Sequence, residues 1–175
     1  MVVKSRMRTP DRTDPERRDK VTNSINLGAG EPRLEHAFDM RVQVAKPIEI
    51  GRRRIVPILG GSFEGSGLRA TVLTGGADYQ IIQPDGFTEA DARYVIETER
   101  AERVYVVNRG MRHGPPEAIA KLNAGETVDP ALIYFRTVPT FETSAPDLLW
   151  LTRAIFIGIG ERYPGEVAIR FYRLL

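Results

Sequence analysis

Leu34-Glu35-His36-Ala37-Phe38-Asp39-Met40-Arg41-Val42-Gln43-Val44 alternates with a period of two. Leu34, His36, Phe38, Met40, Val42 and Val44 fall on one face; Glu35, Ala37, Asp39, Arg41 and Gln43 fall on the other. In a strand successive side chains point to opposite faces, so this pattern predicts a strand with one buried face. Pro47 and Gly51 then interrupt the chain. Extended runs follow at Arg53 to Leu59, Leu68 to Leu73, Asp78 to Gln83, Ala90 to Thr98 and Arg103 to Asn108. Gly75-Gly76, Pro84-Asp85-Gly86 and a charged turn near Glu99-Arg100 separate them. Further strands are expected over Ala131 to Val138, Leu149 to Ile159 and Glu166 to Leu174. One helix is expected from Pro115-Pro116, stopping at Gly125, because proline suits a first turn and glycine an ending. No crossover helices join successive strands. The expected fold is therefore mainly β: a closed or nearly closed antiparallel barrel of about eight or more strands with one short helix.

Residues 1–33 read differently. They carry Pro10, Pro15 and Pro32, eight Lys/Arg against five Asp/Glu, and few large apolar groups. Such a segment buries too little surface to offset its ordering entropy. The expected organisation is a basic, flexible arm over 1–33 and a barrel domain over 34–175, with a homo-oligomer formed through the arm as one expectation. The remaining 142 residues carry 17 basic and 18 acidic side chains, so the basic pI belongs to the arm. Mixed charge in the arm and none in excess on the domain argue against nucleic acid as a partner. No run approaches the roughly 20 apolar residues of a membrane helix, so no membrane partner is expected. The chain has no cysteine, which removes disulfides, thiolate metal sites and cysteine nucleophiles. A cytoplasmic location is the default that follows.

Several stretches suggest chemistry. Gly60-Gly61-Ser62-Phe63-Glu64-Gly65-Ser66-Gly67 invites a phosphate-loop reading, but a strand follows it rather than a helix, so a wide turn is expected. In Gly75-Gly76-Ala77-Asp78-Tyr79-Gln80, Asp78 and Gln80 share one strand face and Tyr79 takes the other. Asp91 and Arg93 share a face with Val95 and Glu97, while Ala92, Tyr94 and Ile96 take the opposite one. Glu142, between Pro139 and Pro146, is placed on a loop or strand edge where a carboxylate could act as a base. Trp150 is the sole tryptophan; His36 and His113 have no metal-ligand spacing, so no metal is expected. The candidate catalytic residues are Asp78, Arg93 and Glu142. The candidate ligand-binding residues are Tyr79, Gln80, Tyr94, Trp150 and His36.

Taken in order, GGSFEG at 60–65, GGADYQ at 75–80, DARY at 91–94, YFRT at 134–137, FET at 141–143 and WL at 150–151 resemble a known family. It is the bacterial and fungal domain-of-unknown-function family, formerly an uncharacterised protein family, and the resemblance covers about residues 33–174. It implies a calycin-like or allene-oxide-cyclase-like barrel with an internal pocket, without a common activity. The chain departs from that family's pattern at Ser66, Tyr79, Thr152 and Glu99–Glu102, and the changes at Tyr79 and Thr152 are expected to alter the pocket lining. The functional expectation is a small hydrophobic or aromatic carbonyl-bearing ligand, bound in the lumen and turned over by acid/base chemistry without a cofactor: isomerisation, cyclisation or hydration. A non-catalytic carrier or sensor and a structural or assembly role are the alternatives.

Overall fold

In a computed structural model, which describes residues 30–175, ten strands close into an antiparallel barrel. The strands are β1 (Leu34–Val44), β2 (Ile48–Ile50), β3 (Arg53–Gly65), β4 (Leu68–Val72), β5 (Ala77–Ile82), β6 (Thr88–Thr98), β7 (Arg103–His113), β8 (Tyr134–Glu142), β9 (Phe156–Tyr163) and β10 (Glu166–Leu174). A helix, α1 (Pro116–Asn123), lies between β7 and β8. Around the wall the order is β1, β10, β9, β8, β7, β6, then β4 and β5 end to end as one broken stave, then β3. β3 pairs with β1 to close the ring at eight staves. The arm assigned to residues 1–33 falls, but for its last four residues, outside the described residues.

The closure depends on glycine. β3 continues through Gly60-Gly61, where a wide turn was expected, with only a shift of register against β1 beside Gly60, and the chain reverses only at Ser66-Gly67. Both turn residues have positive φ, 47° and 76°, as a two-residue hairpin turn twisted to match its strands requires. Gly61 serves the seam between β3 and β1. A Cβ there would lie 2.0 Å from the Arg41 carbonyl oxygen, backbone that cannot swing aside. Gly61→Ala should therefore cost about 3 kcal/mol in urea unfolding, since a methyl forced into packed backbone costs roughly this much. Gly67→Ala meets nothing within 4 Å and should cost only the left-handed penalty of about 1 kcal/mol. Equal losses for the two variants would mean that the seam is not tight.

Two further expectations are corrected. The run from Leu149 was expected to be a strand, but residues 146–153 form a 3-10 helix. Pro146 has no N–H for a ladder, and Leu148 and Leu151, three apart, both turn inward, as a three-residue repeat allows. β7 was expected to end at Asn108 and continues to His113.

The interior has two ends of different character. At one end Phe38, Phe63, Phe141, Phe156 and Phe171 are buried, with Phe38 4.7 Å from Phe63 and 5.6 Å from Phe156 between ring centroids. The 3-10 helix closes this end through Leu148, Leu151 and Trp150. At the other end the inward positions turn polar. Outside, exposed cross-strand ion pairs such as Arg41–Glu166 and Arg170–Asp39 decorate the wall, where solvent screens them and they add little to stability.

Candidate functional site

The polar end holds a cavity of about 50 Å³, and strand register explains it. Asp78 on β5 lies level with Ala92 on β6 and Asn108 on β7. One level along, Ala90, Gly110, Thr137 and Gly158 succeed one another from β6 to β9. The next level brings Thr88, Arg112 and Phe135 together. Ala90 and Thr137 of that level line the cavity, and Gly110 and Gly158 make room for Thr137 between them. Gly76, just before β5, lets that strand press against β6: a Cβ there would meet the Arg93 carbonyl oxygen at 2.5 Å and the Tyr94 Cβ at 2.7 Å. Met40, Val42, Ile58 and Ile169 supply the apolar wall opposite.

Asp78, Gln80, Asn108, Arg112, Thr137 and Arg162 supply the polar lining. Gln80 Nε2 donates to Asp78 Oδ2 at 2.5 Å, and the Asp91 backbone N–H donates to Asp78 Oδ1 at 3.2 Å. Burial pushes the Asp78 carboxyl above the usual aspartate range; the Gln80 bond and the charges of Arg112 and Arg162 oppose this without overcoming it. Burial pushes Arg112 down to about 10, helped by the like charge of Arg162 and opposed by Asp78. Tyr94 is also pushed up by burial, with Asp78 adding to the effect, and its hydroxyl donates to Met40 Sδ at 3.2 Å. Nearby, Arg54 is satisfied: it donates to Glu49 at 2.7 Å and to Asn123, at the end of α1, at 3.0 Å.

Five buried side-chain polar atoms among the described residues have no hydrogen-bond partner. They are Gln80 Oε1, Asn108 Oδ1, Arg112 Nε, Arg112 Nη2 and Thr137 Oγ1. All belong to residues lining this one cavity. Buried polar atoms are normally paired, so a cluster of exceptions calls for partners from outside the chain, water included. Val44 and Arg162 also line an open groove of about 560 Å³ beside the β9–β10 turn and the end of α1, which puts Arg162 at the mouth. No group of three His, Asp or Glu side chains that could hold a metal ion comes together among the described residues.

Of the residues singled out from the sequence, Asp78, Gln80 and Tyr94 line the cavity. Arg93 does not. It points outward, its side chain 45% exposed, and pairs with Asp91 at 3.0 Å, holding that carboxyl below its usual range. Tyr94 is the inward residue of that strand, so parity sends Arg93 out. Tyr79, between two inward neighbours, is likewise outside and 48% exposed. Glu142 follows inward Phe141 and is exposed at the end of β8. His36 was expected to face inward with Phe38, but a bulge between His36 and Phe38 buries both Ala37 and Phe38 and turns His36 to the surface beside Asp39, 3.4 Å away. Trp150 packs on Phe38 at the aromatic end, away from the polar lining. The departures at Tyr79 and Thr152 therefore fall outside the pocket. Sequence reading missed Asn108, Arg112, Thr137 and Arg162. Three of them carried a signal: Val104, Val106, Asn108, Gly110 and Arg112 keep one phase, and so do Phe156, Gly158, Gly160 and Arg162.

The family described as "Protein of unknown function (DUF3237)" matches residues 32–174. The chain belongs to that family. A UPF0311 protein of Rhodopseudomonas palustris (strain TIE-1) is 48% identical over 134 residues, which cover 77% of this chain and 88% of the relative. Among solved structures, this DUF3237 barrel is similar to a conserved protein of unknown function from Rhodopseudomonas palustris, at 41% identity and TM-score 0.81, covering 83% of this chain and 99% of the other. It is also similar to a β-barrel-like protein from Acinetobacter baumannii AYE, at 35% identity and TM-score 0.73, covering 83% and 98%. A more distant likeness, to an enzyme from Penicillium herquei at 18% identity and TM-score 0.61 over 85% and 100% of the two chains, bears on the fold alone.

Proposed function

We propose that this DUF3237 barrel binds the carbonyl-bearing end of a small organic molecule in its lumen, and that Asp78 moves a proton on it. The observation that carries this reading is a buried aspartate, its carboxyl pushed above the ordinary aspartate range by burial, facing a cavity with unpartnered polar atoms. A carboxyl that burial makes hold its proton more tightly than an ordinary aspartate can donate it to a carbonyl oxygen or to a double-bond carbon and recover it later. Arg112 and Arg162 would stabilise the enolate oxygen that forms. Isomerisation, cyclisation and hydration share this step. The cavity is far smaller than the roughly 300–1,000 Å³ of ordinary ligand sites, so the reacting end would enter it and the hydrophobic remainder would lie in the groove beyond Arg162. An eight-stave closed barrel with an internal cavity also supports the calycin-like or allene-oxide-cyclase-like assignment. No helix among the described residues is long and apolar enough to cross a membrane; a cysteine-free chain supports a cytoplasmic location.

The test is deuterium exchange from D2O into the α-positions of a panel of small ketones and enones, followed by NMR. The protein is expected to accelerate exchange and Asp78→Asn to abolish the acceleration. Exchange that persists unchanged in Asp78→Asn would remove Asp78 from the chemistry. The apolar wall of Met40, Val42, Ile58 and Ile169 supports the second reading, a carrier. Saturable binding with no Asp78-dependent exchange would favour it.

A further inference from the structure

Arg112 is the strangest residue of the lumen. It is 2% exposed, and its Nε and Nη2 atoms have no hydrogen-bond partner. These two nitrogens share one edge of the planar guanidinium. Together they form the edge that offers two parallel N–H groups, the geometry that takes both oxygens of one planar anion. The guanidinium sits 6.0 Å over the Phe135 ring, and Thr88 is the cross-strand neighbour of Arg112. Charge points the same way. Asp78 faces two lumenal cations, Arg112 and Arg162, and neither forms an ion pair with it; Arg54 is already held by Glu49. The lumen thus has one positive charge in excess when Asp78 is ionised and two when it is protonated. The other orphaned atoms include two acceptors, Asn108 Oδ1 and Gln80 Oε1, which call for a donor.

We propose that the free edge of Arg112 receives the carboxylate of the ligand, and that the molecules this lumen takes are small organic acids carrying a hydroxyl or amine near that carboxylate. The inference deepens the ligand-site reading above and rests on it. It gives the substrate a charge, a planar head and a neighbouring donor. It also sets an order of events: an anion beside Asp78 favours the protonated aspartate, so binding would load the proton that the chemistry needs.

Four probes of similar size test it on the full chain: lactate, lactamide, propionate and inorganic phosphate. The readouts are dissociation constants and the Arg112 Nε–H resonance, assigned through bonds. Lactate is expected to bind at least about tenfold tighter than lactamide, the advantage of a charge-assisted paired bond over a neutral one. It should bind severalfold tighter than propionate, which lacks the donor, and tighter than phosphate, which is not planar. Both carboxylates should shift the Arg112 Nε–H; lactamide should not. Arg112→Lys keeps the charge and loses the edge, and should weaken lactate at least about tenfold. The wild-type series needs no variant, so a poorly folded Arg112→Lys leaves it intact. Equal binding of lactate and lactamide, tighter binding of phosphate, no binding of any probe, or an unmoved Arg112 resonance at lactate saturation would each overturn the proposal. Propionate matching lactate would overturn the donor requirement. Asp78-dependent exchange on neutral ketones is read separately: if it survives while the carboxylate series fails, only the anion proposal falls, and if both fail the lumen is no acid/base site.

Discussion

Asp78→Asn is expected to lose about 10²- to 10⁴-fold of any α-proton exchange activity, the usual worth of a positioned acid/base group, while melting above the wild type at pH 8. The two effects have one origin. The folded protein holds the Asp78 carboxyl above its ordinary 3.8 because burial penalises the charge. Below that ordinary value the group is protonated in both the folded and the unfolded chain, and it contributes no difference. As pH rises from there, the unfolded chain gives up the proton while the folded one keeps it, so stability falls, by at most about 1.4 kcal/mol per pH unit for one proton. Above the folded value both forms are ionised and the penalty is constant. Asparagine has no charge to bury. Gln80 can accommodate it by turning its amide, because its own oxygen has no other partner. The difference in melting temperature, variant minus wild type, should therefore be near zero below the ordinary aspartate range, widen through the window above it, and then level off. Thermal melts from pH 3 to pH 9 would measure it. A difference that does not change with pH would mean that Asp78 ionises freely in the fold.

Phe38→Ala should be the most damaging single change to the fold, at about 3–5 kcal/mol. Phe38 is fully buried and is the ring on which the aromatic end converges: Phe63, Phe141, Trp150 and Phe156 all lie within 6.4 Å of its centroid. Its loss removes apolar burial, several edge and tilted ring contacts, and the support under the 3-10 helix. The neighbours come from four different elements and cannot collapse together into the space. A total stability of about 5–15 kcal/mol is ordinary for a domain, so urea unfolding should move its midpoint sharply with little change in slope. A loss below about 1 kcal/mol would show that the aromatic end is loosely packed.

Barrel architecture was legible because alternation and turn spacing are local, and β1, β4, β6 and β10 follow them closely. The errors have separate physical causes. At His36 a one-residue bulge shifted the phase, and a bulge leaves no mark in an apolar pattern. At Gly60-Gly61 glycine signals either a turn or a close approach of backbones, and only the partner strand decides which. At Leu149 apolar residues three apart after a proline fit a 3-10 helix as well as a strand. The site was half legible. Asp78 and Gln80 follow from parity within β5, as does the outward turn of Tyr79. Arg93 against Arg112 could not be settled by charge, since an arginine after a run of valines reads as the end of a strand. Continuing the phase of Val104 and Val106 past Asn108 would have carried Arg112 inside. Thr137 and Arg162 become neighbours of Asp78 only when β8 and β9 take their places in the ring.

The packed phenylalanines and Trp150 make the barrel a cul-de-sac. Whatever enters past Arg162 must leave by the same door, and a second molecule cannot follow until the first has gone. Such a vestibule suits a transformation with one reactant and one product, where nothing is shed behind the departing molecule. A reaction that split its substrate would trap the inner fragment beneath the outer one, and its release would govern turnover.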